Sequence, residues 1–137
     1  MSMMQNALYA TVQAAHNFGA VAAVGGSLAG WVLKEPTVRG KLARVTSAGW
    51  LTQALSGACF GAVSYYYYHR FPDLGAISVA ALLLKMACVA TALALFAVYF
   101  LRGARRPGGT GASLVWPVSL ALAVTALTAA AVLRWFS

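Results

Sequence analysis

The sequence predicts an all-α integral membrane protein: an antiparallel, up-down four-helix transmembrane bundle with both termini on the outer, periplasmic side. Three observations carry that expectation. Hydrophobic residues make up 61% of the chain and charged residues 9%, against about 45–50% and about 25% in an ordinary soluble domain. Four apolar stretches each reach the roughly 20 residues that a helical span needs. The basic residues, finally, collect on alternate links between those stretches. So little charge cannot cover a soluble fold of 137 residues, and the same apolar excess excludes disorder. At this length the chain is a single transmembrane domain, residues 1–137.

The first span is read as Leu8–Leu33. Met1–Asn6 has no basic run and no A-x-A site follows the apolar stretch, so the stretch is expected to be a retained helix and not a signal peptide. It carries Gly19 and the small pair Gly26-x-x-x-Gly30, which lets helices approach closely in lipid and is assigned to packing inside the bundle. The link Lys34–Arg44 is basic and contains Pro36 and Gly40. The second span is Val45–Tyr68, followed by a polar turn, His69–Asp73, with Pro72. The third is Leu74–Leu101. Arg102–Ser113, rich in Arg and Gly and carrying Pro107, then breaks the helix before the fourth span, Leu114–Leu133. Links this short make neighbouring helices antiparallel. The alternating segments of about ten residues that a β-barrel requires are missing.

Charge sets the expected orientation. Lys34, Arg39, Lys41 and Arg44 in the first link, with Arg102, Arg105 and Arg106 in the third, face one side; Arg70 and Arg134 face the other. The richer side is cytoplasmic by the positive-inside rule. Tyr65 to Tyr68, Phe71, Trp135 and Phe136 form an outer aromatic belt, and Trp31 and Trp116 mark the inner interface. The net charge of +8, which in a soluble protein would suggest nucleic acid, is therefore assigned to topology and to contact with the lipid bilayer, with no nucleic-acid partner. The expected location is the bacterial inner (cytoplasmic) membrane, multi-pass.

Two ionisable residues lie deep in apolar spans, His16 and Lys85, and such residues are site candidates by default. At 1.5 Å per residue, His16 lies about 12 Å below the outer end of its span and Lys85 about 16 Å. The same arithmetic puts Cys59 at about 14 Å and Thr125 at about 12 Å, so the four are expected to share one layer. Imidazole is a good axial ligand for haem iron and also binds copper or zinc. A buried lysine can ligate or relay a proton as the amine, or pair with a propionate or quinone oxygen as the ammonium. No carboxylate lies within a span, since Glu35 and Asp73 are in links. His69, after the tyrosine run, is either an interfacial turn residue or a second ligand. Met3 and Met4 are soft candidates for copper. The two cysteines, Cys59 and Cys88, form neither a disulfide framework nor a C-x-x-C site. No Walker loop, H-E-x-x-H, Ser-His-Asp set or helix-opening G-x-G-x-x-G is present.

The residues also carry a resemblance. The first span, with His16 and then Gly25-Gly26, the second from Arg44-Val-Thr-Ser-Ala-Gly to Leu55-Ser56-Gly57, and the third from Leu82-Leu-Leu-Lys85-Met-Ala-Cys-Val to Leu101-Arg102 resemble the copper-resistance D (CopD) membrane family. The likeness covers roughly Ala14 to Arg102. Ala23 stands where that family usually has Trp. The chain is also similar in size, in a first-helix His and in a third-helix Lys to the bacterial four-helix membrane protoporphyrinogen oxidases that bind haem b; it lacks their Trp-rich flanks. This resemblance implies that His16 and Lys85 are the functional pair.

Three functions are therefore expected in turn. The first is a haem b-binding redox protein, or a subunit of a respiratory-type membrane complex, working with a quinone or a partner, with His16, Lys85 and His69 as cofactor residues. The second is copper transport or resistance of CopD type, with His16, His69, Met3 and Met4 as metal ligands. The third is a cofactor-free structural subunit; partner subunits or a homo-oligomer are expected because so little of the chain lies outside the membrane.

Overall fold

A computed structural model describes residues 3–69, 75–103 and 111–136. Four helices account for nearly all of them: α1 (Met3–Val32), α2 (Pro36–Tyr68), α3 (Ala76–Gly103) and α4 (Gly111–Phe136). Among the described residues there is no strand. Arg70, Phe71, Pro72, Asp73, Arg105, Arg106 and Pro107, which figured in the expected links, lie outside the described residues.

The first link is much shorter than the sequence suggests. Helix α2 starts at Pro36, not Val45, with Glu35 as the N-cap residue in extended conformation. Proline at the first helical position has no N–H to lose and a pre-set φ, so it opens the helix. Arg39, Lys41 and Arg44 therefore ride on the first turns of α2. Arg39 folds back across the link, and its Nε donates to the carbonyls of Gly30 and Leu33, both at 3.0 Å. Those carbonyls are orphaned by the end of α1, and a cation there also complements the helix dipole.

Interhelical contacts show that α1 and α2 run antiparallel. From the start of α1, Gln5 meets Tyr68 at 3.1 Å, Tyr9 meets Ser64 at 3.1 Å and His16 meets Ser56 at 2.7 Å. Further along, Gly19 lies against Gly49 and Thr52, and Gly26 against Thr46. One partner climbs the sequence as the other descends. A Cβ on Gly49 would lie 2.7 Å from the backbone nitrogen of Ala23 and 2.8 Å from the carbonyl oxygen of Gly19, so the α1 and α2 backbones touch there. Gly26 and Gly30 both work inside the bundle, as expected, but against different neighbours: Gly26 accommodates Thr46 of α2 and Gly30 the Trp116 ring of α4. α3 joins α4 through Phe96 and Tyr99, whose rings sit edge-on to Trp116 at 5.9 and 6.1 Å. Helix α2 touches α3 least, and only side chains cross the diagonals α1–α3 and α2–α4.

The interior is small and polar for a protein core. Alongside Trp50, Phe96 and Trp116, the buried residues are mainly alanine, glycine, serine, threonine and glutamine. The large aliphatic and aromatic side chains point outward, as at Phe18 (75% exposed), Leu83 (60%) and Leu114 (66%). α3 over Ala76–Arg102 (mean hydropathy 2.3) and α4 over Leu114–Trp135 (1.9) are long and apolar enough to cross a membrane. The same length and composition do not single out α1 and α2: α2 carries the inward-facing polar residues Thr46, Gln53 and Ser56, and α1 carries polar residues such as Gln13 and Asn17.

Candidate functional site

The bundle holds a partly open cavity of about 580 Å³, bounded by side chains of all four helices. On α1 the lining runs from Gln13 to Val24 and on α4 from Ala123 to Arg134. Each stretch spans about 16 Å at 1.5 Å per residue, so the cavity is a slot about half as deep as a 30 Å hydrocarbon layer. Its walls are largely alanine, leucine and aromatic carbon. Its polar lining comes from Gln13, His16, Asn17, Gln53, Lys85 and Arg134.

His16 and Lys85 meet in this cavity across the α1–α3 diagonal. Lys85 Nζ lies 2.9 Å from His16 Nε2, and both residues are half-buried. The other ring nitrogen, Nδ1, lies 2.7 Å from Ser56 Oγ. The Ser56 hydroxyl itself donates to the carbonyl of Thr52, one turn back in α2. With its one hydrogen used there, Ser56 can only accept from Nδ1. This network assigns the neutral imidazole with the proton on Nδ1 and the lone pair on Nε2, to which Lys85 donates. Gln53 Nε2 donates to the His16 backbone carbonyl, and Phe60 stands edge-on to the imidazole with centroids 6.0 Å apart. α2 thus holds the ring through Ser56 and Phe60 and the backbone through Gln53, and the ring's lone pair faces Lys85 of α3.

The depth layer is only half assembled. His16 and Lys85 reach the cavity, but Cys59 is exposed and Thr125 is exposed with its hydroxyl bonded to the Ala121 carbonyl of its own helix. Depth along a helix gives height and says nothing of azimuth, and these two lie on outer faces. Cys88 is buried in the core as a small apolar residue.

The copper candidates stand apart from the cavity. Met3 and Met4 are exposed in the first turn of α1. His69 is exposed and left-handed (φ 50°) at the end of α2, where its backbone N–H closes on the Tyr65 carbonyl. Met4 lies twelve residues before His16 on one continuous helix, about 18 Å at 1.5 Å per residue. No single ion can therefore take both as ligands. Among the described residues, no group of three His, Cys, Asp or Glu side chains converges.

Three residues of the site were not singled out from the sequence: Gln53, which lines the cavity, Ser56, which bonds the imidazole, and Arg134, also in the lining. A signal for the first two existed. Trp50, Gln53, Ser56-Gly57 and Phe60 recur every three or four positions, which puts them on one helix face. Polar residues at that spacing in an apolar stretch mark an inward face. No family model, no curated protein and no solved structure matches this chain. The functional reading rests on the residues themselves.

Proposed function

We propose that the chain is a four-span protein of the bacterial cytoplasmic membrane, with both termini outside, that binds haem b in the central cavity and serves in electron transfer, alone or as a subunit of a membrane complex with a quinone or partner protein. The observation that carries this reading is the His16–Lys85 pair on the wall of a 580 Å³ slot. Cofactor sites occupy about 300–1,000 Å³, are mostly apolar and carry a few placed polar groups. The inverted surface supports the membrane setting: large apolar side chains cover the outside and small polar ones fill the inside. Patches of that extent on a soluble monomer would be aggregation sites.

The residues present fit the group. His16 offers one imidazole, already held in the tautomer whose lone pair is on Nε2. Haem b supplies a one-electron iron couple when bound. His16 Nε2 would hold the iron of the group, and Lys85, which shares that nitrogen here, would be the residue to pair with a carboxylate of the guest or with a quinone oxygen. Ser56 and Gln53 hold the ring and backbone of His16 in place whatever Nε2 meets, because neither of their bonds involves Nε2. Phe60 and Trp50 give the slot an apolar aromatic wall. Met3 and Met4, in the first turn of α1, and His69, at the end of α2, have no part in this reading.

The protein purified in detergent and supplied with haem is expected to show a Soret band and a reduced-minus-oxidised spectrum of a b-type cytochrome. His16→Ala is expected to abolish or shift both. A protein with no Soret band, or one whose spectrum is the same without the imidazole, would overturn the reading.

A further inference from the structure

The charge lining the cavity is one-sided. Lys85 stands on its wall within α3, and Arg134, in the last turn of α4, stands at its far end with its side chain exposed. None of the described lining side chains is acidic. On α4 the wall leading to Arg134 includes Ala126, Leu127, Ala130 and Ala131, whose side chains offer no hydrogen bond. A cation inside an apolar bundle is costly unless a partner neutralises it, and a neutral apolar guest would leave Lys85 without one. A guest that brings its own anionic groups and lays an apolar body along the alanine wall would satisfy both cations. Arginine adds a planar fork that matches a carboxylate bidentately.

We infer that the cavity selects its ligand by carboxylate charge, taking an amphipathic organic anion with a carboxylate read by Arg134 at the mouth, while a second anionic group, where the guest has one, meets Lys85 inside. Arg134 is then a specificity-determining residue and His16 is not. The inference rests on the haem reading for its first probe, a porphyrin dicarboxylate. The same chemistry is shared by a long-chain fatty acid, and the two sources are separated by experiment.

The full chain in neutral detergent is titrated with iron protoporphyrin and with its uncharged dimethyl ester, and binding is followed by quenching of tryptophan fluorescence, since Trp50 lines the cavity. Oleic acid and methyl oleate form the second pair of probes. The acid is expected to bind about tenfold tighter than its ester, the scale of one good charge-assisted bidentate contact. Arg134→Gln is expected to remove most of that preference, Arg134→Lys to restore part of it, and Thr125→Val, outside the cavity lining, to leave it intact, each variant keeping its helical circular dichroism. Equal affinity for acid and ester, or a preference indifferent to Arg134→Gln, would overturn the inference. A fatty acid bound in an Arg134-dependent way by a protein that refuses the porphyrin would support it while overturning haem binding. A His16-dependent Soret band with no acid-over-ester preference would do the reverse.

Discussion

The bundle has two polar centres, each with a bridge across a different diagonal, and they are built on opposite plans. One joins Ser27, Ser119 and Trp50. Ser27 Oγ and Ser119 Oγ are 2.7 Å apart, Trp50 Nε1 donates to Ser119 Oγ at 3.1 Å, and all three residues are almost completely buried. The other joins His16, Lys85 and Ser56 beside an open slot. The first centre is neutral, closed and braced by packed rings; the second contains a lysine, is half-exposed and has room for a guest. Both use polar groups to tie helices together. Where every polar atom is satisfied by the protein and no space remains, the centre is an adhesive. Where a lysine bonds one imidazole, faces a cavity and has no described acidic neighbour, there is room for an anionic guest.

If that contrast is sound, the largest stability loss should come from the closed centre. Trp50→Ala removes a buried indole, its bond to Ser119 and the wall between the two centres. Truncating a buried aromatic costs about 3–5 kcal/mol. Thermal unfolding in detergent, followed by circular dichroism, should show a fall in midpoint large enough to threaten folding at room temperature. A midpoint within a degree or two of the parent would show that the closed centre is not what holds the helices.

A sharper comparison sets Ser119→Ala against Lys85→Met, because the two should differ in sign. Ser119 receives the Trp50 bond and shares one with Ser27. Interhelical hydrogen bonds in membrane proteins average about 0.6 kcal/mol each, so Ser119→Ala should lower stability by about 1 kcal/mol and leave ligand binding alone. Lys85→Met keeps the length of the side chain and removes a cation from apolar surroundings. It should leave the unfolding midpoint unchanged or raise it, while weakening binding of an anionic ligand. A destabilised Lys85→Met protein that still binds the ligand normally would reverse the assignment of the two centres.

The two centres were unequally legible in the sequence. His16 and Lys85 announce themselves, because an ionisable residue in an apolar stretch has few innocent explanations. Ser27, Ser119 and Trp50 do not: serines are common in membrane helices, and only the three-dimensional pairing tells a bridging hydroxyl from one bonded to its own backbone. The helices themselves were legible from apolar runs and breaks, yet the start of α2 at Pro36 was displaced because the basic residues after it read as a loop. Arg39 shows why charge is a poor guide there: it sits in a helical first turn and caps the helix before it. Arg134 counted only as an outer charge in the sequence, since nothing along the chain says that the last turn of α4 borders the same slot as the middle of α1.

The smallest expected effect is the one that separates height from azimuth. By depth alone Thr125 belongs with His16 and Lys85. Its hydroxyl, however, bonds to Ala121 of its own helix, and its side chain is exposed on the far side of α4. Thr125→Val keeps the branched shape and removes only that local bond. Exposed substitutions away from buried features usually stay within about 0.5 kcal/mol, and valine suits a lipid-facing position. Midpoint, ligand affinity and spectrum should therefore all match the parent. A clear loss of ligand in Thr125→Val would mean that α4 presents a different face to the slot, and the placement of Arg134 at its mouth would fail with it, since Thr125 and Arg134 lie on one continuous helix.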